Sequence, residues 1–412
     1  MTSQTLSGPL LNKSKRAFSK GDRLLILLLA FASGITVANI YYNQPLLAGI
    51  AQNFNASYAT TSIISLVTQL GYASGLLLVV PLGDSFERRN LIVTFIAGTA
   101  LALLAAALSP NLPALILASY LIGLIGVTPQ FIVAYAAGVA EPENRGRTVG
   151  NVMSGLLIGI LFSRTISGFI GSHTGWRTVY FLAAVTMLVL AALLFFAIPR
   201  QHPERFVPYP ELLGSLWPIL KREPVLQRHA VIGMAGFAAF SAFWTTLAFY
   251  LASRPEHFDS QVTGLFGLVG VAGALVAPIA GRLSDRFQPR LVNGLAILVV
   301  IISFIIMAFA NYSLLLLVIG VFLMDAGVQG NQISNQTRIY ALSPSLRNRI
   351  NGVYMVCYFI GGAAGSAIGS AALAHWHWTG VCFAGAGLSL IGLLALLIPW
   401  PHQHHSAGST NS

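Results

Sequence analysis

A chain of 412 residues with 55% hydrophobic and 8% charged side chains and a mean hydropathy of +0.74 cannot cover a globular surface with polar groups, which takes about 25% charged residues. That balance excludes an ordinary soluble domain and assigns the chain to lipid. The formal charge of +11 would suggest nucleic acid in a soluble protein, but the placement of the basic residues, given below, removes that reading.

A membrane-spanning helix needs about 20 consecutive apolar residues. Such runs occupy 24–47, 60–82, 91–108, 112–140, 148–171 and 176–198. A polar, proline-containing stretch follows, and further runs occupy 230–251, 262–283, 291–310, 312–339, 350–373 and 378–398. The sequence therefore predicts an all-α membrane protein of twelve transmembrane helices. Two six-helix bundles (24–198 and 230–398) are joined by a linker (199–229) and flanked by tails (1–23 and 399–412). Lys13, Lys15, Arg16, Lys20 and Arg23 precede a first run too long for the apolar core of a signal peptide, so it reads as an uncleaved span. Cys357 and Cys382 lie inside apolar runs and read as buried structural thiols. No cofactor or metal is expected.

The loop after the second run, VPLGDSFERR at 80–89, returns as GRLSDRFQPR at 281–290. Both copies place Leu, a small residue and Asp in one order (Asp84, Asp285), followed by arginines (Arg88 and Arg89; Arg286 and Arg290). At an offset of 202 residues Pro142 matches Pro344, Arg147 matches Arg349, Gly159 matches Gly361, His173 matches His375 and Trp176 matches Trp378. The two halves read as parallel repeats related by an axis along the membrane normal.

Lys and Arg in the loops give the orientation. Of the 23 such residues, all but three fall on the side of the N-terminus. Arg177 and Arg254 fall on the opposite side and Arg164 within a span. Both termini are thus expected in the cytoplasm, with the positive charge facing an anionic leaflet and no nucleic-acid partner required.

On these residues the chain resembles the major facilitator superfamily over nearly its whole length. The second loop copy keeps Gly281, Leu283, Asp285, Arg286 and Arg290 of that family's signature. The first keeps Leu82, Gly83, Asp84, Arg88 and Arg89, with Val80, Ser85 and Glu87 at three motif positions. A closer resemblance, to bacterial twelve-helix drug and sugar proton antiporters, rests on Asn39-Ile40-Tyr41-Tyr42-Asn43-Gln44-Pro45 and the glycine-spaced fifth run. The resemblance implies a cytoplasmic gate: Asp84 and Asp285 cap a neighbouring helix N-terminus, where a carboxylate is stabilised by the helix dipole, and Arg88, Arg89, Arg286 and Arg290 pair with acids. Solvated loop charge is the alternative.

Asp325 is the acid that falls inside a run. At least about 2.5–3.5 kcal/mol is needed to put an ionisable side chain at that depth, which marks it as functional. Asp325, Gln329, Gln332 and Gln336 share one helix face, which should line water or substrate. Asp325 reads as a proton carrier, with a structural polar network and direct substrate contact as alternatives. Arg164, the embedded base, calls for a counter-ion such as Asp325 or an anionic substrate group; snorkelling to an interface is the other reading. Asn39, Tyr42 and Asn43 on the first run, Gln69 on the second, Gln130 beside Pro129 on the fourth and Trp244 on the seventh are candidates for a polar, nearly uncharged cavity. Interhelical hydrogen bonds explain several of them equally well. The glycine spacing of the fifth and eleventh runs is expected to pack the halves together, and Trp176, Trp376, Trp378 and Trp400 to anchor at interfaces.

The function expected is export of a small organic compound, a drug or sugar-like metabolite, in exchange for protons by alternating access, from a bacterial inner membrane and as a monomer. Proton symport or facilitated import of a nutrient is the first alternative and a non-transporting receptor the second. No nucleophile–base pair, metal cluster or phosphate loop points to an enzyme.

Overall fold

The computed structural model describes residues 20–141, 144–201, 208–274, 288–342 and 346–398. Among these, ten helices are long and apolar enough to cross a membrane. The first span is broken into α1 (Lys20–Ala38) and α2 (Asn43–Asn53). The second is α3 (Tyr58–Leu78), which runs into a 3-10 turn at Val80–Asp84. The third is α4 (Arg88–Ala107), and the fourth is broken into α5 (Leu112–Ile125) and α6 (Thr128–Val139). Then come α7 (Arg145–Thr174) and α8 (Trp176–Ala197). A short helix, α9 (Tyr209–Arg222), lies within the linker. The seventh span, α10 (Pro224–Ser253), starts earlier than its apolar run. It is followed by α11 (Ser260–Ala274), α12 (Pro289–Ala308) and α13 (Leu314–Tyr340). The last stretch, α14 (Arg347–Leu397), is 51 residues long and is interrupted at Trp376 and His377. Two spans of about 20 residues fit within it, so with the described part of the eighth span the architecture is the expected twelve-helix one.

Both broken spans carry proline just past the break. The first span breaks in the turns at residues 39–42, ahead of α2, and the fourth at Val127, the cap of α6, and Pro45 and Pro129 sit in the helical turn that follows each break. There a missing N–H costs nothing, because the first helical donors have no partner in any case. Side chains cap several other helices: Ser57 Oγ accepts from Thr60 N at 3.1 Å, and Asn111 Oδ1 accepts from Ala114 N at 2.9 Å.

The internal repeat is visible in the backbone itself. Asn55 (φ 49°) and His257 (φ 49°) are 202 residues apart, and so are Gly175 (φ 86°) and His377 (φ 55°). These four are the positive-φ positions among the described residues. The loops after the first and seventh spans therefore turn alike, as do the joints between the fifth and sixth and between the eleventh and twelfth.

Each half packs around a pair of spans held backbone to backbone. A Cβ on Gly155 would land on the backbone of Ala30, and one on Gly159 on Gly34, so α7 lies against α1. In the second half Gly361, Gly365 and Gly369 meet the backbone of Met234, Ala238 and Ala242, so α14 lies against α10. The expectation that these glycines join the two halves is corrected: they close contacts inside each half, which is where small residues let helices approach. Between halves, α11 packs on α7 and α3 packs on α14. The apolar side chains left exposed, such as Phe196, Tyr312 and Leu108, suit a surface facing lipid.

Trp376 is exposed, but Trp176 and Trp378 are buried. Trp378 stacks on Tyr250 at 3.9 Å and donates to Met307 O at 2.8 Å, so packing replaces the interfacial role expected for it. Trp400 lies outside the described residues.

Candidate functional site

The break in the first span sets the site. Because the helix stops at Ala38 and restarts at Asn43, Tyr41 and Gln44 face the fifth span. There Arg164 Nε donates to Gln44 Oε1 at 2.6 Å and Nη1 to Ile160 O at 3.3 Å. The guanidinium lies 4.1 Å from the centroid of the Trp244 ring on α10, 4.9 Å from Tyr41 and 5.5 Å from Phe240. A desolvated cation held over aromatic faces gains about 2 kcal/mol. Arg164 is 1% exposed, which excludes snorkelling, and its Nη2 has no hydrogen-bond partner.

Asp325, on α13, is 2% exposed, and its Oδ2 likewise has no partner. The eighth span passes between these two ionisable residues with glycine at each crossing. A Cβ on Gly267 would meet Arg164 Cβ at 3.1 Å, one on Gly270 would meet Asp325 Oδ2 at 3.2 Å, and one on Gly273 would meet Asp325 Cβ at 2.9 Å. Arg164 and Asp325 do not form the direct ion pair considered from the sequence. A direct ion pair does join Arg254 and Glu256, at 3.3 Å, in the loop after α10.

Gln69 joins the halves directly. Its Nε2 donates to Ser366 Oγ at 2.9 Å, and its Oε1 accepts from Ser241 Oγ at 3.1 Å. Thr245 Oγ1 lies 2.9 Å from Ser366 Oγ in the same network. Gln332 Oε1 accepts from Tyr358 OH at 3.3 Å, and Gln329 and Gln336 are half-buried beside it on α13. Gln130 donates to Tyr72 OH at 3.4 Å and lines a cavity at the end of the bundle that carries α9.

Other candidates turn elsewhere. Asn39 Nδ2 contacts Thr36 O at 3.1 Å and Met187 Sδ on the sixth span at 3.3 Å, and Tyr42 packs against the first-half core. Asn43 Oδ1 accepts from Ser65 Oγ at 2.9 Å and its Nδ2 donates to Thr68 Oγ1 at 3.3 Å, which ties the first span to the second. These three do not share one cavity-facing surface, because the break rotates Asn39 away from Asn43. The sequence reading also missed Gln44, Tyr41 and Phe240 around Arg164, and a second buried network. In that network Asn335 Oδ1 meets His229 Nδ1 at 2.7 Å and accepts from Asn293 Nδ2 at 2.9 Å, while Asn335 Nδ2 donates to Asn331 Oδ1 at 3.0 Å. Asn331 and Asn335, four residues apart beside the glutamines, were the available signal.

In the gate loop, Asp84 ends the 3-10 turn with its side chain outside the described residues, as are Asp285 and Arg286 altogether. The cap of α4 is Glu87: its carboxylate accepts from Arg89 N at 2.8 Å and Asn90 N at 3.0 Å, and also from Gln201 N at 3.0 Å. Arg88 Nη1 donates to Gln201 Oε1 at 3.3 Å, and Arg89 lies 4.6 Å from the centre of the Phe195 ring. Arg290, 202 residues after Arg88, donates to Leu396 O at 3.0 Å and Leu397 O at 3.1 Å. Arg290 thus grips the end of the last span of its half, where a cation suits the helix dipole, whereas Arg88 ties the start of the linker to α6, donating also to Ala134 O at 3.4 Å.

The sequence model of the Major Facilitator Superfamily matches residues 27–313 and 256–411. The chain belongs to that family. This major facilitator transporter is 44% identical over 387 residues to the putative uncharacterized transporter YgaY of Escherichia coli K12, covering 94% of this chain and 97% of that one. It is 33% identical over 370 residues to the probable transporter SCO4007 of Streptomyces coelicolor, covering 89% and 86%. Among solved structures it superposes on a point mutant of the nucleoside transporter NupG with a TM-score of 0.76 at 13% identity, covering 91% of this chain and 98% of that one. A bacterial homolog of the human lysosomal transporter Spinster, inward-facing and unoccupied, gives 0.67 at 17% identity, covering 92% and 95%. The transporter is accordingly a multi-pass membrane protein that moves small molecules, not an enzyme.

Proposed function

We propose that the transporter exports a small organic compound in exchange for protons, by rocking its two six-helix halves around the contact between the fifth, seventh, eighth and tenth spans. Asp325 is the proton carrier. The observation that carries this reading is its buried carboxylate, packed on the glycines of α11 with Oδ2 lacking a hydrogen-bond donor. A carboxylate out of water without such a donor is costly to keep charged, so its proton has to move when the site is wetted. Arg164 supplies the opposing charge from the other half. The protein resides in a bacterial inner membrane as a monomer, both termini and α9 in the cytoplasm, where the excess of loop arginines belongs.

Energised inside-out vesicles test this. A panel of antimicrobials, sugars and amino acids is added while ΔpH is read by dye quenching. Antiport predicts that a substrate releases lumenal protons in the wild type and not in Asp325→Asn. Substrate-driven acidification of the lumen would favour the symport reading instead, and proton release surviving in Asp325→Asn would reject Asp325 as carrier.

A further inference from the structure

A cavity of about 340 Å³ opens at the end of the bundle that carries α9, between the halves. Its size lies within the roughly 300–1,000 Å³ common for small-molecule sites. Leu76, Phe131, Met355 and Val356 make apolar walls, and Leu212 and Leu216 of α9 close one side. Its polar lining comprises Arg88 from the first half, Arg349 and Asn351 from the second, and Gln130; no carboxylate is among the described lining residues. The two cations are not fully used by the protein. Arg88 Nε is buried without an acceptor, although Nη1 reaches Ala134 O at 3.4 Å as well as Gln201. Arg349 has no partner among the described residues. Arginines on this side are expected from topology alone, but topology does not require one from each half to share a cavity walled by hydrocarbon. A guanidinium keeps its charge and offers five donors in a planar fork, the geometry that suits carboxylate and phosphate.

We propose that this cavity binds an amphipathic organic anion, with its apolar body against the Phe131 and Met355 walls and its anionic group at Arg349 and Arg88. The site is separate from Arg164 and Asp325 and does not depend on the proton-coupling reading. Either a free organic acid or the headgroup of an anionic lipid carries the required chemistry.

The test is calorimetric titration of the purified full-length protein in phosphatidylcholine nanodiscs with three matched probes: 1-naphthylacetate, its amide and 1-naphthylmethylamine. The acid should bind roughly tenfold more tightly than the other two, the size of a charge-assisted contact. Arg349→Gln should lose that margin and Arg349→Lys should recover part of it. Met355→Trp, which adds bulk to the cavity wall while keeping both arginines, should also abolish acid binding, so the result does not hang on one variant's folding. Repeating the titration with phosphatidylglycerol present separates the sources: competition that depends on Arg349 identifies a lipid headgroup, and none identifies a free acid. Equal binding of the three probes, or acid binding unchanged in Arg349→Gln or in Met355→Trp, would overturn the proposal. Binding is read without flux, so its failure leaves the Asp325 account standing, and failure of that account leaves this one.

Discussion

The Arg164 guanidinium on the fifth span stacks 4.1 Å from the Trp244 ring on the seventh, so a cation of one half is held by an aromatic face of the other. Coupling across this contact should be measurable. A double-mutant cycle of Arg164→Gln and Trp244→Leu, read by thermal unfolding in detergent, should give an interaction of about 0.5–2 kcal/mol. Additive effects would mean the stacking is incidental.

The glycine crossings make a graded prediction. Gly159→Ala places a methyl on the Gly34 backbone and Gly365→Ala places one on Ala238, whereas Gly150 has nothing within 4 Å. Backbone cannot yield as a side chain does, so the first two should cost about 1–3 kcal/mol and show up as lower yield of folded protein. Gly150→Ala, inside α7 with open space around it, should cost nothing and gain up to about 1 kcal/mol from the better helix former. Size-exclusion profiles and melting curves of the three variants check this.

His377 holds φ 55° and ψ −156°, a conformation open mainly to glycine and costing other residues about 1–3 kcal/mol. Its counterpart in the first half is Gly175, at φ 86° and ψ 160°. His377→Gly should therefore raise the melting temperature, and Gly175→Ala should lower it. A fall in stability for His377→Gly would show that its side chain is worth more than the strain.

Glu87 caps α4 and holds Gln201. Glu87→Ala should cost about 1 kcal/mol, as for lost helix caps, and should free the start of the linker. Limited proteolysis is the readout: cleavage between α8 and α9 should quicken in the variant while sites in the opposite loops stay unchanged.

The spans were legible because lipid imposes long apolar runs, and the duplication because a charged loop must be rebuilt in each half. Asp325 and Arg164 stood out as ionisable groups at a depth where such groups are rare. Their surroundings were not legible. An apolar run does not say how a helix is rotated, so Gln44 and Tyr41 could not be told from Asn39 and Tyr42 until the break at residues 39–42 was seen. Pro45 suggested a kink but not its place, which falls before the proline rather than at it. The glycines of the fifth and eleventh spans signalled close packing without naming the neighbour. His229 and Asn293 come from separate spans, and only the fold brings them to Asn335.

The central claim, that Asp325 couples protons to movement of the halves, is tested most directly by two assays run on one preparation. In proteoliposomes with a substrate found by the vesicle screen, Asp325→Asn should retain substrate-for-substrate counterflow, which needs no net proton movement. The same variant should lose accumulation driven by an imposed pH gradient. Accumulation equal to wild type in Asp325→Asn would contradict the account.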